Sequence, residues 1–474
     1  MRTAAFSFLL SMVCAAALTP LLRGLAFERG WLDHGLEARK IHGRPIPRLG
    51  GVAIVLGFYA PLIGLLVYPT GMAQKFYAEP LRAAALLLGG LCIALLGLYD
   101  DVRGAGAGLK LTVQLGVGLG LWLCGVRVEL LGLPGLGAVQ LGLFSLPVTL
   151  LWIAGVINAM NLIDGLDGLA GGVAFFALLC SFAVALVRGE ATMALLSAAL
   201  AGSVLGFLVY NFNPASIFMG DTGSMFLGFI LAAGSVQTSQ KASTAVALLV
   251  PLVALGLPIT DTLLAIGRRA ASGRPIFSAD REHIHHRLLA LGLTQRQAVL
   301  VLYGTSALLG LGALGLSFAN SWQTAATLTL LAVLGVVGLR QLYFVGNAPA
   351  APPAPAGPTP RQAARALAPA LQAAQTVEAA FAALLPALGP LGVARLTLRL
   401  PKRAPLVHAA PAAAFPPAAL SSARAASFAL SDDGALGTLE VLLDSGAALD
   451  QERQVALEVL SDLLAAALAR PGMV

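Results

Sequence analysis

Asn158-Ala-Met-Asn161-Leu-Ile-Asp164-Gly-Leu-Asp167-Gly-Leu-Ala-Gly-Gly172 sets two amides and two carboxylates, three residues apart, at the end of a strongly apolar run. An Asp or Glu in hydrocarbon costs roughly 2.5–3.5 kcal/mol by insertion scales, so the repeat marks a membrane boundary and a site built there. Its glycines let a ligand approach the backbone closely. Three more polar clusters end or follow apolar runs in the same way. They are Tyr99-Asp100-Asp101-Val-Arg103, Asn211-Phe-Asn213-Pro-Ala-Ser-Ile-Phe-Met-Gly220-Asp221-Thr-Gly223-Ser224, and Asp280-Arg281-Glu-His283-Ile-His285-His286-Arg287.

The 474 residues around these clusters are 58% hydrophobic and 11% charged, with a mean hydropathy of +0.83. Soluble domains run nearer 45–50% and 25%, which excludes an ordinary soluble globule. Runs long enough to cross a bilayer, about 17–25 residues each, lie near 4–22, 50–68, 82–98, 109–126, 147–163, 169–187, 191–209, 223–237, 244–266, 297–317 and 323–344. The expected fold is therefore an all-α polytopic membrane protein of about eleven transmembrane helices, followed by a small C-terminal α+β domain on the cytoplasmic side. Only Arg2 precedes the first run and no small-residue cleavage site follows it, so it reads as an uncleaved span. Cys14, Cys92, Cys124 and Cys180 are scattered singly and read as small buried hydrophobes.

A net charge of +7 with a pI near 9.5 raises the question of nucleic acid. The cations sit instead in particular loops, Arg23 to Arg48 and Arg268 to Arg287, as the positive-inside rule places them on the cytoplasmic side. If each run crosses once, parity then puts every polar cluster on that one face. A secondary transporter is the rival reading, but its ligating groups belong near mid-membrane on interrupted, repeated helices. Here they lie at one edge, and no motif repeats.

Adjacent carboxylates such as Asp100 and Asp101 repel unless a cation or shared proton relieves them. A hard cation such as Mg²⁺ takes oxygen ligands and keeps substrate phosphates in its shell; a solvated turn is the plainer reading of the pair. Asp221 stands where a tight turn meets the next span, either aimed at a ligand or capping that helix. Asn211 and Asn213 can cap the preceding helix or read a base edge. His283, His285 and His286 lie on a short helix for which Asp280 is a candidate cap, with His283, His286 and Arg287 on one side. That arrangement suits contacts to anion and sugar, against the alternative of a solvated basic helix end. Lys40-Ile-His42-Gly-Arg44-Pro45-Ile-Pro47-Arg48-Leu-Gly50-Gly51 reads as a rigid anion-binding loop or as a nonspecific contact to lipid headgroups.

With these motifs in order, residues 30–345 resemble the polyprenyl-phosphate N-acetylhexosamine-1-phosphate transferase family. That family includes phospho-N-acetylmuramoyl-pentapeptide transferase and the undecaprenyl-phosphate N-acetylglucosamine-1-phosphate transferases. The resemblance implies that a polyprenyl phosphate displaces UMP from a UDP-N-acetylhexosamine at the cytoplasmic face, with Mg²⁺ (or Mn²⁺), as the first membrane step of envelope polysaccharide synthesis. It implies Asp221 as the principal metal ligand with Asn161 nearby. Asp100 and Asp101 become the catalytic pair at the lipid phosphate, with a base role for Asp100 left open. Asp164 and Asp167 hold the nucleotide, and His283, His285, His286 and Arg287 face the sugar and diphosphate. Lys40, His42, Arg48, Asn158 and Asn213 join the substrate-binding set. His-Ile-His-His-Arg is closer to the N-acetylglucosamine branch than to the muramoyl-pentapeptide branch. Gly104 stands where some members extend the aspartate motif with a third acid.

After residue 345 a Pro/Ala-rich linker, 346–361, leads to a module spanning 362–474. Leu396–Leu400 alternates like a strand, and Asp432-Asp-Gly434 marks a turn between strand-like Ala426–Leu430 and Leu436–Leu443. Val455, Val459, Leu460, Leu463, Leu464, Ala467 and Leu468 form a helical stripe. The module is loosely similar to the closing half of a sensory domain, and is expected either to regulate or to pair two copies as a homodimer.

Overall fold

Where the apolar runs are described, they are helices. The computed structural model describes residues 2–33, 46–67, 71, 74, 78–133, 137–240, 249–271, 283–318, 321–342, 366–391, 393–401, 403–409, 425–431, 436–443 and 451–470. In chain order these form α1 (Arg2–Arg29), β1 (Leu32–Asp33), β2 (Ile46–Pro47), α2 (Gly50–Val67), α3 (Pro80–Arg103), α4 (Ala107–Leu123), β3 (Leu130–Leu133) and β4 (Gly137–Gln140). There follow α5 (Ser145–Ile163), α6 (Leu169–Val187), α7 (Ala191–Asn211), α8 (Gly220–Gln240), α9 (Leu249–Ala254), α10 (Gly256–Ala271), α11 (Ile284–Ala290), α12 (Gln295–Leu316) and α13 (Ser321–Arg340). The glycine-rich segment after Leu130 forms the expected hairpin, with Leu131 opposite Val139.

Seven helices among the described residues are long and apolar enough to cross a membrane: α1, α3, α5, α6, α7, α12 and α13. α2 and α4 are shorter apolar helices, α8 is 21 residues long and buried along most of its length, and the run at 244–266 is broken between α9 and α10. The chain is a multi-pass membrane protein. Phe6, Leu88, Leu151, Leu308 and Leu330 are exposed on the outer surface, a pattern that hydrocarbon accepts and water does not. Lipid supplies no hydrophobic drive between helices, so close packing of small residues must hold them. α1 does this with buried Ala4, Ser7, Ser11, Ala15 and Thr19 at three- and four-residue spacing. Gly202 and Gly206 of α7 lie against the backbone of Phe8 and Met12. Of the cysteines, Cys180 is buried as expected, whereas Cys92 is exposed.

The chain divides into two units, Met1–Ala348 and Pro349–Val474. The second contains α14 (Ala368–Ala373), α15 (Val377–Leu391), β5 (Val393–Arg399), β6 (Leu406–Ala409), β7 (Ala425–Ala429), β8 (Thr438–Leu443) and α16 (Gln451–Leu468). Its antiparallel sheet runs β6-β5-β8-β7. Leu396, Leu398, Leu439 and Val441 turn one face of the sheet onto a core shared with Leu384, Leu457, Leu460 and Leu464. The strands expected from alternation appear as β5, β7 and β8, and the stripe as α16. The expected linker and the Asp432–Gly434 turn lie outside the described residues.

Candidate active site at one end of the membrane bundle

The site is organised around the start of α8. Strand-like contacts carry the chain past that point: Phe218 N–H donates to the Pro47 carbonyl at 2.7 Å, Gly50 N–H to Phe218 at 3.0 Å and Gly51 N–H to Met219 at 2.7 Å. A Cβ on Gly51 would lie 2.1 Å from the Gly223 nitrogen, so α2 and α8 cross backbone to backbone. Gly220 has φ +69°, and a Cβ there would meet the Arg48 carbonyl at 2.5 Å and the Asp101 carboxylate at 2.6 Å. No side chain fits such a turn without strain.

The first N–H groups of a helix lack partners within it. Here Asp101, from the end of α3, supplies them: Oδ1 accepts from Asp221 N–H at 2.8 Å, and Oδ2 from Thr222 N–H at 2.9 Å and the Thr222 hydroxyl at 2.6 Å. Both oxygens of Asp101 therefore hold the helix start. The capping role considered for Asp221 falls to Asp101, and the Asp221 side chain is left for other partners.

Those partners converge from two more helix ends. Lys110, in the first turn of α4, donates to Asp221 Oδ2 and to Asp100 Oδ2, each at 2.6 Å. Asn161, in the last turn of α5, donates to the same Asp221 oxygen at 3.1 Å, and its carbonyl accepts from the Ser224 hydroxyl at 2.9 Å. Asp100 Oδ1 also accepts the Ala105 N–H. One turn before Asn161 on α5, Asn158 donates to Gln114 of α4 and to its own helix at Ala154, both at 2.7 Å. The structure thus uses Asn158 to pair α4 with α5.

The corner between α5 and α6 is the second half of the site. Asp167, 4% exposed, accepts from Asn213 Nδ2 at 2.9 Å and Ala215 N–H at 3.0 Å. Asn211 accepts from Gly168 N–H at 3.1 Å and donates to the Ile217 carbonyl at 2.9 Å. The two asparagines thereby lock the corner to the segment leading into α8. Burial, then the charges of Asp221, Asp101 and Asp167, pushes the Asp164 carboxyl up to about 8.

His285, 2% exposed, packs on this corner: a Cβ on Gly165 would lie 2.5 Å from its Nε2. Burial, then neighbouring His286, pushes His285 down to about 3, so its ring is neutral at pH 7. The rings of His285 and His283 stack 5.7 Å apart at 4°, and His286 lies 4.3 Å from His285. The expected grouping of His283, His286 and Arg287 on one side of a helix is not observed: α11 starts at Ile284, and His283 precedes it in extended conformation. Lys40, His42 and Asp280 lie outside the described residues.

Asp100, Asp101, Asn161, Asp164, Asp167, Asn213, Asp221 and the histidines are thus gathered at one end of the bundle. Lys110, Thr222, Gln114 and Asp261, the last bound to His283, were not singled out from the sequence. Lys110 and Asp261 are lone charges within apolar runs, which was the available signal, whereas Thr222 stands inside the Asp221 motif and Gln114 carries no charge to mark it. The donors fit Mg²⁺. Asp100 and Asp221 offer carboxylate oxygens, and the ammonium of Lys110 already sits as a cation between them, while Asn161 turns its amide nitrogen to Asp221 and its oxygen to Ser224. Among the described residues no group of three His, Cys, Asp or Glu forms a metal cage by itself.

Residues 83–239, from α3 to α8, match the model of glycosyl transferase family 4. A Bacillus subtilis (strain 168) protein named "probable undecaprenyl-phosphate N-acetylglucosaminyl 1-phosphate transferase" is 37% identical over 328 residues, 69% of this chain and 88% of its own. A decaprenyl-phosphate N-acetylglucosaminephosphotransferase of Mycolicibacterium smegmatis (strain ATCC 700084 / mc(2)155) is 37% identical over 66% of this chain and 82% of its own. A phospho-N-acetylmuramoyl-pentapeptide-transferase of Acaryochloris marina (strain MBIC 11017) is 31% identical over 63% and 81%.

Proposed function

Because the chain belongs to glycosyl transferase family 4, we propose that it transfers N-acetylglucosamine 1-phosphate from UDP-N-acetylglucosamine to a polyprenyl phosphate and releases UMP. The names of the relatives at 37% identity support the donor and the acceptor. The observation that carries the reading is the cluster of Asp100, Lys110, Asn161 and Asp221, built from four helix ends at one edge of the bundle. A lipid-borne phosphate and a soluble nucleotide can meet there. The basic residues that follow α1 and α10 in the sequence support a cytoplasmic orientation. The eleven apolar runs support as many crossings, with α9 and α10 sharing one.

An oxygen of the lipid phosphate attacks the phosphorus bearing the sugar, and the bond from that phosphorus to the UMP oxygen breaks with its electron pair. One phosphoanhydride replaces another, so the protein's task is to position the groups and balance their charge. A phosphate monoester is already largely ionised near neutral pH and needs no strong base. Both Asp100 oxygens already accept hydrogen bonds, which favours an orienting role for Asp100 over proton removal. Asp221 would hold Mg²⁺ with Asn161 and Asp100 beside it. When bound, the ion supplies charge neutralisation for the two phosphorylated reactants. Lys110 balances the carboxylates and orients phosphate oxygens. Asp164 and Asp167 receive the nucleotide, with Arg48 and the histidine segment bounding the site. Asp101 aims Asp221 through the backbone. The C-terminal unit regulates the chain or pairs two copies, and molecular mass in detergent decides between one copy and two.

The test is to incubate membranes containing the chain with Mg²⁺, undecaprenyl phosphate and labelled UDP-N-acetylglucosamine. Release of UMP with label in the lipid supports the reading. Labelling only from the muramoyl-pentapeptide donor moves the chain to that branch, and solute uptake without lipid labelling makes it a transporter.

A further inference from the structure

α10 buries a single carboxylate, Asp261, in its second turn, 2% exposed. Both oxygens bind residues that follow the 272–282 stretch: Oδ2 takes His283 Nδ1 at 2.9 Å, and Oδ1 takes the Ile284 N–H at 2.9 Å. A carboxylate only accepts, so Nδ1 carries the proton, and the bond fixes which ring nitrogen is left for other partners. His283 gives α11 no side-chain cap. Asp261 supplies from another helix the acceptor that a local cap would provide. The His283 ring then stacks parallel on His285, and His285 rests on Gly165, where no Cβ could fit. Gly165 follows Asp164 in the corner that also holds Asp167. A continuous line of contact therefore runs from the interior of α10, through two rings, to the aspartate corner.

We propose that Asp261 is a positioning residue for the donor nucleotide: it sets the height and ring orientation of His283 and, through the stack, seats His285 against the Asp164–Asp167 corner. The donor half of this proposal rests on the reading above that the corner receives the UDP-sugar. A buried carboxylate with a purely structural role would alter the amount of folded protein. A positioning residue also shifts recognition of one substrate and spares the other.

The experiment uses the full chain, as wild type, Asp261→Ala, Asp261→Asn, His283→Ala and the Asp261→Ala/His283→Ala double variant. Diethyl pyrocarbonate modification, read by peptide mass spectrometry, reports how firmly the stack is held, with His408 of the C-terminal unit as internal reference. Asp261→Ala is expected to speed modification of His283 and His285 about ten-fold and to leave His408 unchanged. Asp261→Asn, which keeps one acceptor oxygen, falls between and serves if the alanine variant does not fold. In turnover, Asp261→Ala raises the KM for UDP-N-acetylglucosamine about ten-fold with the KM for lipid phosphate unchanged, and the double variant is no worse than His283→Ala. Unchanged histidine reactivity, or additive losses in the double variant, with an active wild type overturns the positioning claim alone. A wild type inactive toward UDP-N-acetylglucosamine overturns the donor half together with the proposed reaction, while histidine reactivity still decides whether Asp261 holds the stack.

Discussion

α4, α5 and α8 are tied together at both of their ends, by different chemistry. At the site end Lys110, Asn161 and Asp221 meet side chain to side chain. At the far end Gln240 of α8 donates to the backbone carbonyls of Gly125 and Arg127 at 2.9 and 2.7 Å, Val128 N–H donates to the Thr149 hydroxyl at 2.9 Å, and Trp122 to Ser145 at 3.1 Å. The far end uses its polar side chains mainly to satisfy backbone groups that a membrane protein cannot leave bare. The site end faces charges toward one another. One bundle thus separates closure from chemistry along the length of the same three helices.

The contrast breaks if substitutions at the two ends behave alike. Asp221→Asn is expected to cut UMP release by about 10²–10³-fold with little change in thermal denaturation, and chelation of divalent ions should abolish turnover until Mg²⁺ or Mn²⁺ is restored. Lys110→Met leaves Asp100 and Asp221 facing each other without a cation, and turnover should fall by about 10²-fold. Full recovery in excess Mg²⁺ would mean that Lys110 only occupies the ion's place. Thr222→Val removes one of the three hydrogen bonds to Asp101. A hydrogen bond to a charged group is worth about 1.5–3 kcal/mol, so turnover should drop by roughly ten- to hundred-fold, and unchanged turnover would show that the anchor is not needed. At the far end Gln240→Leu should leave kcat/KM intact and lower stability by about 1–3 kcal/mol, measured by denaturation in detergent. Glu129→Gln, which breaks the exposed Arg127–Glu129 pair, should change stability by no more than roughly 0.5 kcal/mol.

The helices were legible because length and apolarity alone decide them in a membrane. That the polar clusters meet at one end was legible because each of them ends or follows an apolar run. Pairing was not. Asp100 and Asp101 are adjacent, and consecutive residues on a helix point about 100° apart. One turns to Lys110 and the other to the start of α8, a division no local pattern reveals. Lys110 and Asp261 were hidden inside runs read for their hydrophobicity, although a lone charge in such a run is itself a signal. Asn158 and Asn161 look alike as a repeat, yet one joins helices and the other reaches Asp221. In the C-terminal unit β6 is four residues long, too short for alternation to stand out.

Asp101 holds α8 mainly by main-chain N–H groups, so its grip is blind to which side chain occupies position 221. A descendant of this chain could lose its acid there and keep the same outline, surviving as an inert look-alike that shape alone would never betray. The converse lesion, at Asp101, would keep the acid at 221 and take away the acceptor that holds the start of its helix.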